Sequence, residues 1–306
     1  MKRFWHPALL AALILAAGLG NFIVLEDLAD IRTGDPTFPT GSPPSHARDD
    51  RPLVRVGVVS RFAPNVIYNG YQPIMEYLSR EGSFRFELQL SSSYQDAVDH
   101  LRAGSVDASF LGAWIYSDLA ADEGLVPILA PLNAAGRSEF HAVLVVPTSS
   151  DLNTMADLRG HSVALPSPMS FSGNWLQTSG LMDVGLTAAD LDTVHQFAHH
   201  PTVVWQVLRG NFDAGVVKES VAARYAREGL RRIAVSQAIP GPPLVGRADA
   251  DPAVLAEIKR LLLALDPARP EDRRTLESWT PEFSHGFTAV DRDDYRHAFS
   301  PGEVAR

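Results

Sequence analysis

The chain contains no cysteine, which excludes disulfides, thiolate nucleophiles, cysteine-ligated metal and a lipid-modified N-terminal cysteine. Lysine is almost absent: three residues, Lys2, Lys218 and Lys259, stand against 24 arginines. The formal net charge is -9, and no basic run exceeds short pairs such as Arg231-Arg232. Nucleic acid is therefore not expected as a partner, because binding a phosphate backbone needs a positive footprint. Also missing are Gly-x-Ser-x-Gly, Gly-x-Gly-x-x-Gly and the Gly-x-x-x-x-Gly-Lys loop, so neither a serine elbow nor the common nucleotide cradles are expected. With no nucleophile-base constellation in view, the chain is not expected to be an enzyme. What remains is a chain of 306 residues, 45% hydrophobic, able to bury the cores of two ordinary domains.

The N-terminus has Lys2 and Arg3, then about twenty mostly apolar residues from Ala8 to Leu25, then Glu26, Asp27 and Asp30. Positive charge on one flank only predicts export, with the chain beyond residue 30 outside the cytoplasm. Residues 1 to 30 are read as a signal peptide or an N-terminal membrane anchor. Residues 31 to 52 read as a proline-rich linker, which favours a retained membrane anchor.

From residue 53 strand and helix patterns alternate. LVRVGVVS, FRFELQLS and VDASFLG read as strands separated by the helices YQPIMEYLSREG and YQDAVDHLRAG. A second series follows, in which HAVLVVP, HSVALP, LDTVHQF and FDAGVVK are strands and SGNWLQTSGLMDVG and PTVVWQVLRG helices. Leu101 to Ala108 and Leu208 to Ala214 share Gly-x-apolar-Asp-Ala at a spacing of 106 residues. The order predicts two doubly wound, mostly parallel α/β lobes joined by a hinge. The first lobe is placed at 53–145 and 240–306, the second at 146–239. Ligands of such sheets bind beyond the carboxyl ends of the strands, and a cleft between lobes is a natural small-molecule site.

The most informative junction is SPMSFSGNW (167–175), which leaves a strand and enters a helix. Ser167, Ser170 and Ser172 put three hydroxyls there, and Ser172-Gly173 opens the helix. A plain N-cap needs one hydroxyl; three, with the free N–H groups of a helix start, form a neutral cradle for an anion. His195, His199 and His200 are close in sequence. The strand before Phe197 and the helix expected after Pro201 leave one inward-facing imidazole rather than a ligand pair, so no metal is expected. No cofactor is expected either.

These stretches together resemble the PhnD-like family of periplasmic phosphonate/phosphite/phosphate-binding proteins, the type II solute-binding components of ABC transporters. The resemblance runs from about residue 53 to 297 and rests on VGVVSRFAPNVIYNGYQPIMEYL, LRAGSVDASFLG, VLVVPTSSDLNTMADLRGHSVAL, SPMSFSGNWLQ, AHHPTVVWQVLRGNFDAGVV and AIPGPPLVGR. It implies that Ser170 and Ser172 donate to phosphoryl-type oxygens, with Gly173 beside them, and that His200 is the family histidine. Tyr94 stands near a ligand-contacting tyrosine, and Glu219 near a ligand-facing carboxylate. Phe171 replaces a threonine, and Pro242 stands where phosphonate binders often carry an aspartate. Both departures shift the expected ligand towards a smaller or less charged oxyanion or an organic acid. Tyr68 and Tyr71 are further first-lobe candidates, and Arg61, after the first strand, is a candidate positive contact or a surface arginine. The implied partners are a small anionic solute and an ABC transporter permease; a sensor kinase, with the chain as a tethered sensing module, is the alternative.

Overall fold

The computed structural model describes residues 49–119 and 124–296. The export or anchor segment and most of the linker lie outside the described residues. In chain order the elements are β1 (Leu53–Val58), α1 (Pro64–Glu81), β2 (Arg85–Leu90), α2 (Tyr94–Arg102), β3 (Ala108–Phe110), α3 (Ala113–Leu119) and β4 (Leu125–Pro131). Then come β5 (Glu139–Phe140), β6 (Ala142–Pro147), β7 (Ser162–Leu165), α4 (Phe171–Trp175), β8 (Thr193–Gln196), α5 (His200–Leu208), β9 (Ala214–Lys218), α6 (Glu219–Arg224) and β10 (Leu230–Val235). The chain ends with β11 (Ile239–Pro240), β12 (Leu244–Arg247), α7 (Pro252–Leu263), α8 (Pro270–Glu277), β13 (Phe287–Ala289) and α9 (Asp293–Arg296).

One sheet has the order β13-β4-β12-β3-β1-β2 and the other β10-β6-β9-β7-β8. In each, three parallel strands are followed by an antiparallel one, β12 beside β3 and β6 beside β9. The expected two α/β lobes are present, but neither sheet is wound from parallel strands alone, because each takes in a strand that arrives from a crossing. β6 opens the second sheet at Ala142, ahead of the boundary expected at residue 146. β5 and β11 pair as a short antiparallel ladder at the two crossings.

The repeated fragment has the same job in both copies. Gly104 and Gly210 each adopt a φ of 71°, a left-handed conformation that glycine enters without strain. The aspartate that follows accepts from a parallel strand of its own sheet: Asp107 Oδ2 from Arg55 N–H of β1 and Asp213 Oδ2 from Ser162 N–H of β7, both at 2.8 Å.

Burial on both faces explains the strand sequences. In β6, Leu144 and Val146 join one apolar cluster with Val163, Leu165 and Trp175, while Val143 and Val145 join another with Val203, Val207 and Val217. In the first sheet Val54, Val56 and Val58 pack with Ile74, Met75 and Leu78 of α1 and with Ile258 and Leu262 of α7. α1 is longer than expected, since Pro64 starts it where a missing N–H costs nothing and Pro73 is accommodated inside it. α7 begins on an aspartate-proline pair: the Asp251 side chain accepts from Ala253 N–H at 2.9 Å, with Pro252 next. The tail returns to the first sheet, where β13 pairs with β4.

Candidate functional site

The carboxyl ends of the six parallel strands line one cavity of about 50 Å3. From the first lobe come Val59, Arg61 and Phe62 after β1, Tyr94 at the start of α2, and Gly112 to Trp114 after β3. From the second come Ser170, Phe171 and Ser172 at the start of α4, His200 at the start of α5, and Lys218, Ser220 and Val221 after β9. Phe140, Pro242 and Glu282 complete the lining. Helices begin at most of these strand ends, so their positive dipole ends ring the cavity.

The serine junction divides its hydroxyls between architecture and cavity. Ser170 is the N-cap of α4: its Oγ accepts from Gly173 N–H at 3.1 Å and donates to the Ser167 carbonyl at 2.9 Å. Ser167 Oγ accepts from Met169 N–H at 3.2 Å. Ser172 stands outside this network among the described residues; it is 2% exposed and lines the cavity. Gly173 is required by close approach, because a Cβ there would lie 2.0 Å from the Ser167 carbonyl oxygen. It supports the helix start without lining the cavity.

His200 is the inward imidazole expected from the sequence. It is 5% exposed, and its Nδ1 accepts from Lys218 N–H at 3.3 Å. Burial and the neighbouring Arg61 and Lys218 cations hold its pKa down to about 3. The ring is neutral, with its proton on Nε2 as a donor. Among the described residues no group of three or more histidines and carboxylates gathers in a metal-binding arrangement.

Arg61 is buried rather than at the surface. Its guanidinium donates to Glu282 Oε2 at 2.6 Å and to the Tyr71 hydroxyl. Lys218 Nζ reaches Glu282 Oε1 at 2.9 Å. Burial alone would raise the Glu282 pKa, but the two cations hold it at about 2. Burial moves Lys218 below its ordinary value, against the opposing pull of Glu282.

Of the ten residues singled out in the sequence, six line the cavity: Arg61, Tyr94, Ser170, Phe171, Ser172 and His200. Tyr71 is buried behind Arg61, edge-on to Phe110 and Phe283. Tyr68 is 48% exposed on the outer side of α1, and Gly173 is packed on the loop. Glu219 faces a separate recess with Ala222, Arg231 and Arg232, since its predecessor Lys218 takes the inward position. Lys218 and Glu282 were not picked out. Lys218, one of only three lysines and closing the second copy of the repeated strand, carried a usable signal. Glu282, in an irregular tail segment, carried none. Trp114, Phe140 and Phe171 form an apolar wall, with ring centroids 6.2 and 6.4 Å from Phe171.

A buried cavity at the strand ends of two such lobes defines the class of two-lobed type II solute-binding proteins. Residues 56–295 match the family described as "ABC transporter, phosphonate, periplasmic substrate-binding protein", and the chain belongs to that family. It is 27% identical over 158 residues to the phosphate-import protein PhnD of Mycolicibacterium smegmatis, covering 47% of this chain and 48% of that protein, about half its length. The fold is shared with a binding component of an ABC phosphonate transporter from Pseudomonas aeruginosa, with a TM-score of 0.70, 16% identity, and 80% of this chain and 84% of that one covered. It is shared equally with PhnD1 of Prochlorococcus marinus, solved with methylphosphonate, with a TM-score of 0.70, 18% identity and coverage of 80% and 95%. The family match favours a transport component over a sensor-kinase module. Among the described residues no helix is long and apolar enough to cross a membrane.

Proposed function

We propose that the protein is an exported solute-binding protein that captures a small oxyanion or organophosphonate-like ligand between its lobes and delivers it to an ABC transporter. The observation that carries this is the convergence of Arg61, Lys218, the neutral His200 and Ser172 on one buried cavity in a chain whose net charge is -9. A generally acidic protein that binds an anion must do so with local donors, and here they come from both lobes. Ser172, His200, Arg61, Lys218 and Tyr94 hold the oxyanion, Ser170 and Gly173 position the helix start, and the Phe171 wall takes an apolar substituent. Closing the lobes replaces the ligand's water with these donors, and the membrane partner reads the closed form. The Lys2-Arg3 flank and the apolar stretch after it support delivery to the periplasm, and N-terminal sequencing of mature protein distinguishes a cleaved signal from a tether.

Calorimetry against phosphate, phosphite, methylphosphonate, sulfate and acetate tests this. Binding of at least one phosphorus oxyanion, lost or weakened in Ser172→Ala, is expected. Binding of none at millimolar concentration contradicts it.

A further inference from the structure

Three charged side chains line the cavity, and they do not balance. Arg61 and Lys218 are the cations; Glu282 is the carboxylate between them, with one oxygen bonded to each. The three side chains are 9, 14 and 19% exposed, so solvent screens them little. Two cations less one carboxylate leave a single positive charge. The other titratable groups facing Glu282 add none: Tyr71 from α1 and Tyr94 from α2 are kept protonated by burial, and His200 from α5 is neutral. The Ser172 hydroxyl, His200 Nε2 and the helix starts add neutral donors but no formal charge, and Trp114, Phe140 and Phe171 add none either.

We infer that Glu282 sets the charge selectivity of the cavity, restricting it to anions with one net negative charge, so that an oxyanion able to carry one or two charges is bound as its protonated monoanion. This rests on the anion-binding role proposed above and adds the charge state that the site accepts. A second negative charge would face Glu282 in a weakly screened interior, where like charges repel strongly. A protonated ligand oxygen avoids that repulsion and supplies a donor suited to a carboxylate, which can only accept. Glu282 is depressed to about 2 and stays ionised wherever the protein is folded near neutrality.

The test uses the unmodified protein and two probes of similar shape. Methylphosphonate loses its second proton between about pH 5.5 and about pH 8.5, around the range of other phosphoryl groups; methanesulfonate keeps one charge throughout. Lys218, which burial shifts below its ordinary value, faces both probes alike, so the affinity ratio isolates the charge on the ligand. The ratio of methylphosphonate to methanesulfonate affinity is expected to fall about tenfold or more as pH rises, the change that exclusion of a dianion produces. In Glu282→Gln the fall disappears or reverses. A ratio that is flat or rises with pH in the unmodified protein overturns the inference while leaving the anion site standing. If methanesulfonate does not bind, the pH profile of methylphosphonate in the two proteins decides: a fall lost in the variant supports the inference, and parallel profiles overturn it. If neither probe binds, phosphate or phosphite, which also pass from one charge to two, take the place of methylphosphonate in the same comparison of pH profiles; binding of no oxyanion overturns both the anion site and the inference built on it.

Discussion

Lys218, at the end of β9 in the second sheet, and Glu282, in the segment leading to β13 of the first, meet at 2.9 Å. The contact joins the lobes through the wall of the cavity, and Arg61 holds the other Glu282 oxygen at 2.6 Å. An entering anion therefore meets cations that already share a carboxylate.

Lys218→Met removes the second lobe's cation and leaves Glu282 with Arg61. A hydrogen bond to a charged group contributes about 1.5–3 kcal/mol, so anion affinity is expected to fall about tenfold or more. Calorimetry with phosphate or methylphosphonate, beside a circular dichroism check of folding, measures it. Unchanged affinity would remove Lys218 from the site.

Ser170 and Ser172 should separate in their effects. Ser170→Ala removes the α4 cap, which is expected to cost about 1 kcal/mol of stability and to lower the urea midpoint. Ser172→Ala leaves the cap network intact and is expected to lower ligand affinity with little change in unfolding. Equal stability losses in both would contradict the division.

At Gly173 the added methyl of an alanine would lie 2.0 Å from the Ser167 oxygen and 2.7 Å from its carbonyl carbon. Backbone cannot yield as a side-chain tip does, so Gly173→Ala should lose about 1–3 kcal/mol in thermal or urea unfolding, with ligand binding weakened alongside. A melting temperature equal to the parent's would show that the helix start shifts freely.

His200 gives the stability a specific pH dependence. Its pKa is about 3 in the folded protein, against about 6.5 when unfolded. Between those values the unfolded chain binds the extra proton, so the neutral buried ring's contribution is complete above the unfolded value and is lost as pH falls towards the folded one. His200→Asn keeps an acceptor for Lys218 N–H and removes the titration. Urea midpoints at about pH 7 and about pH 4.5 should therefore drop further in the parent than in the variant. Equal drops would mean that His200 titrates normally.

Features were legible in the sequence where local chemistry sets them. Gly104 and Gly210 announce their turns because a left-handed φ favours glycine, and the aspartates after them recur because each satisfies a neighbouring strand's N–H. The serine junction was legible as a helix start, although two of its three hydroxyls serve the turn and the cap. The charge system was not legible: Glu282 acquires its role only from Arg61, 221 residues away, and Lys218, 64 residues away. β4 went unread for a related reason, since its place is fixed by pairing with β12 and β13 from much later in the chain. The resemblance points to Glu219 while Lys218 lines the cavity, because a family pattern without backbone geometry does not decide which of two neighbours turns inward.

The most direct measurement is a crystal structure of the protein grown with methylphosphonate. The account predicts the ligand in the cavity between the lobes, its oxygens within hydrogen-bonding distance of Ser172, His200 Nε2 and at least one of Arg61 and Lys218, with its methyl group against Phe171. Ligand density elsewhere, or a cavity that stays closed around Glu282 alone at saturating ligand, would contradict it.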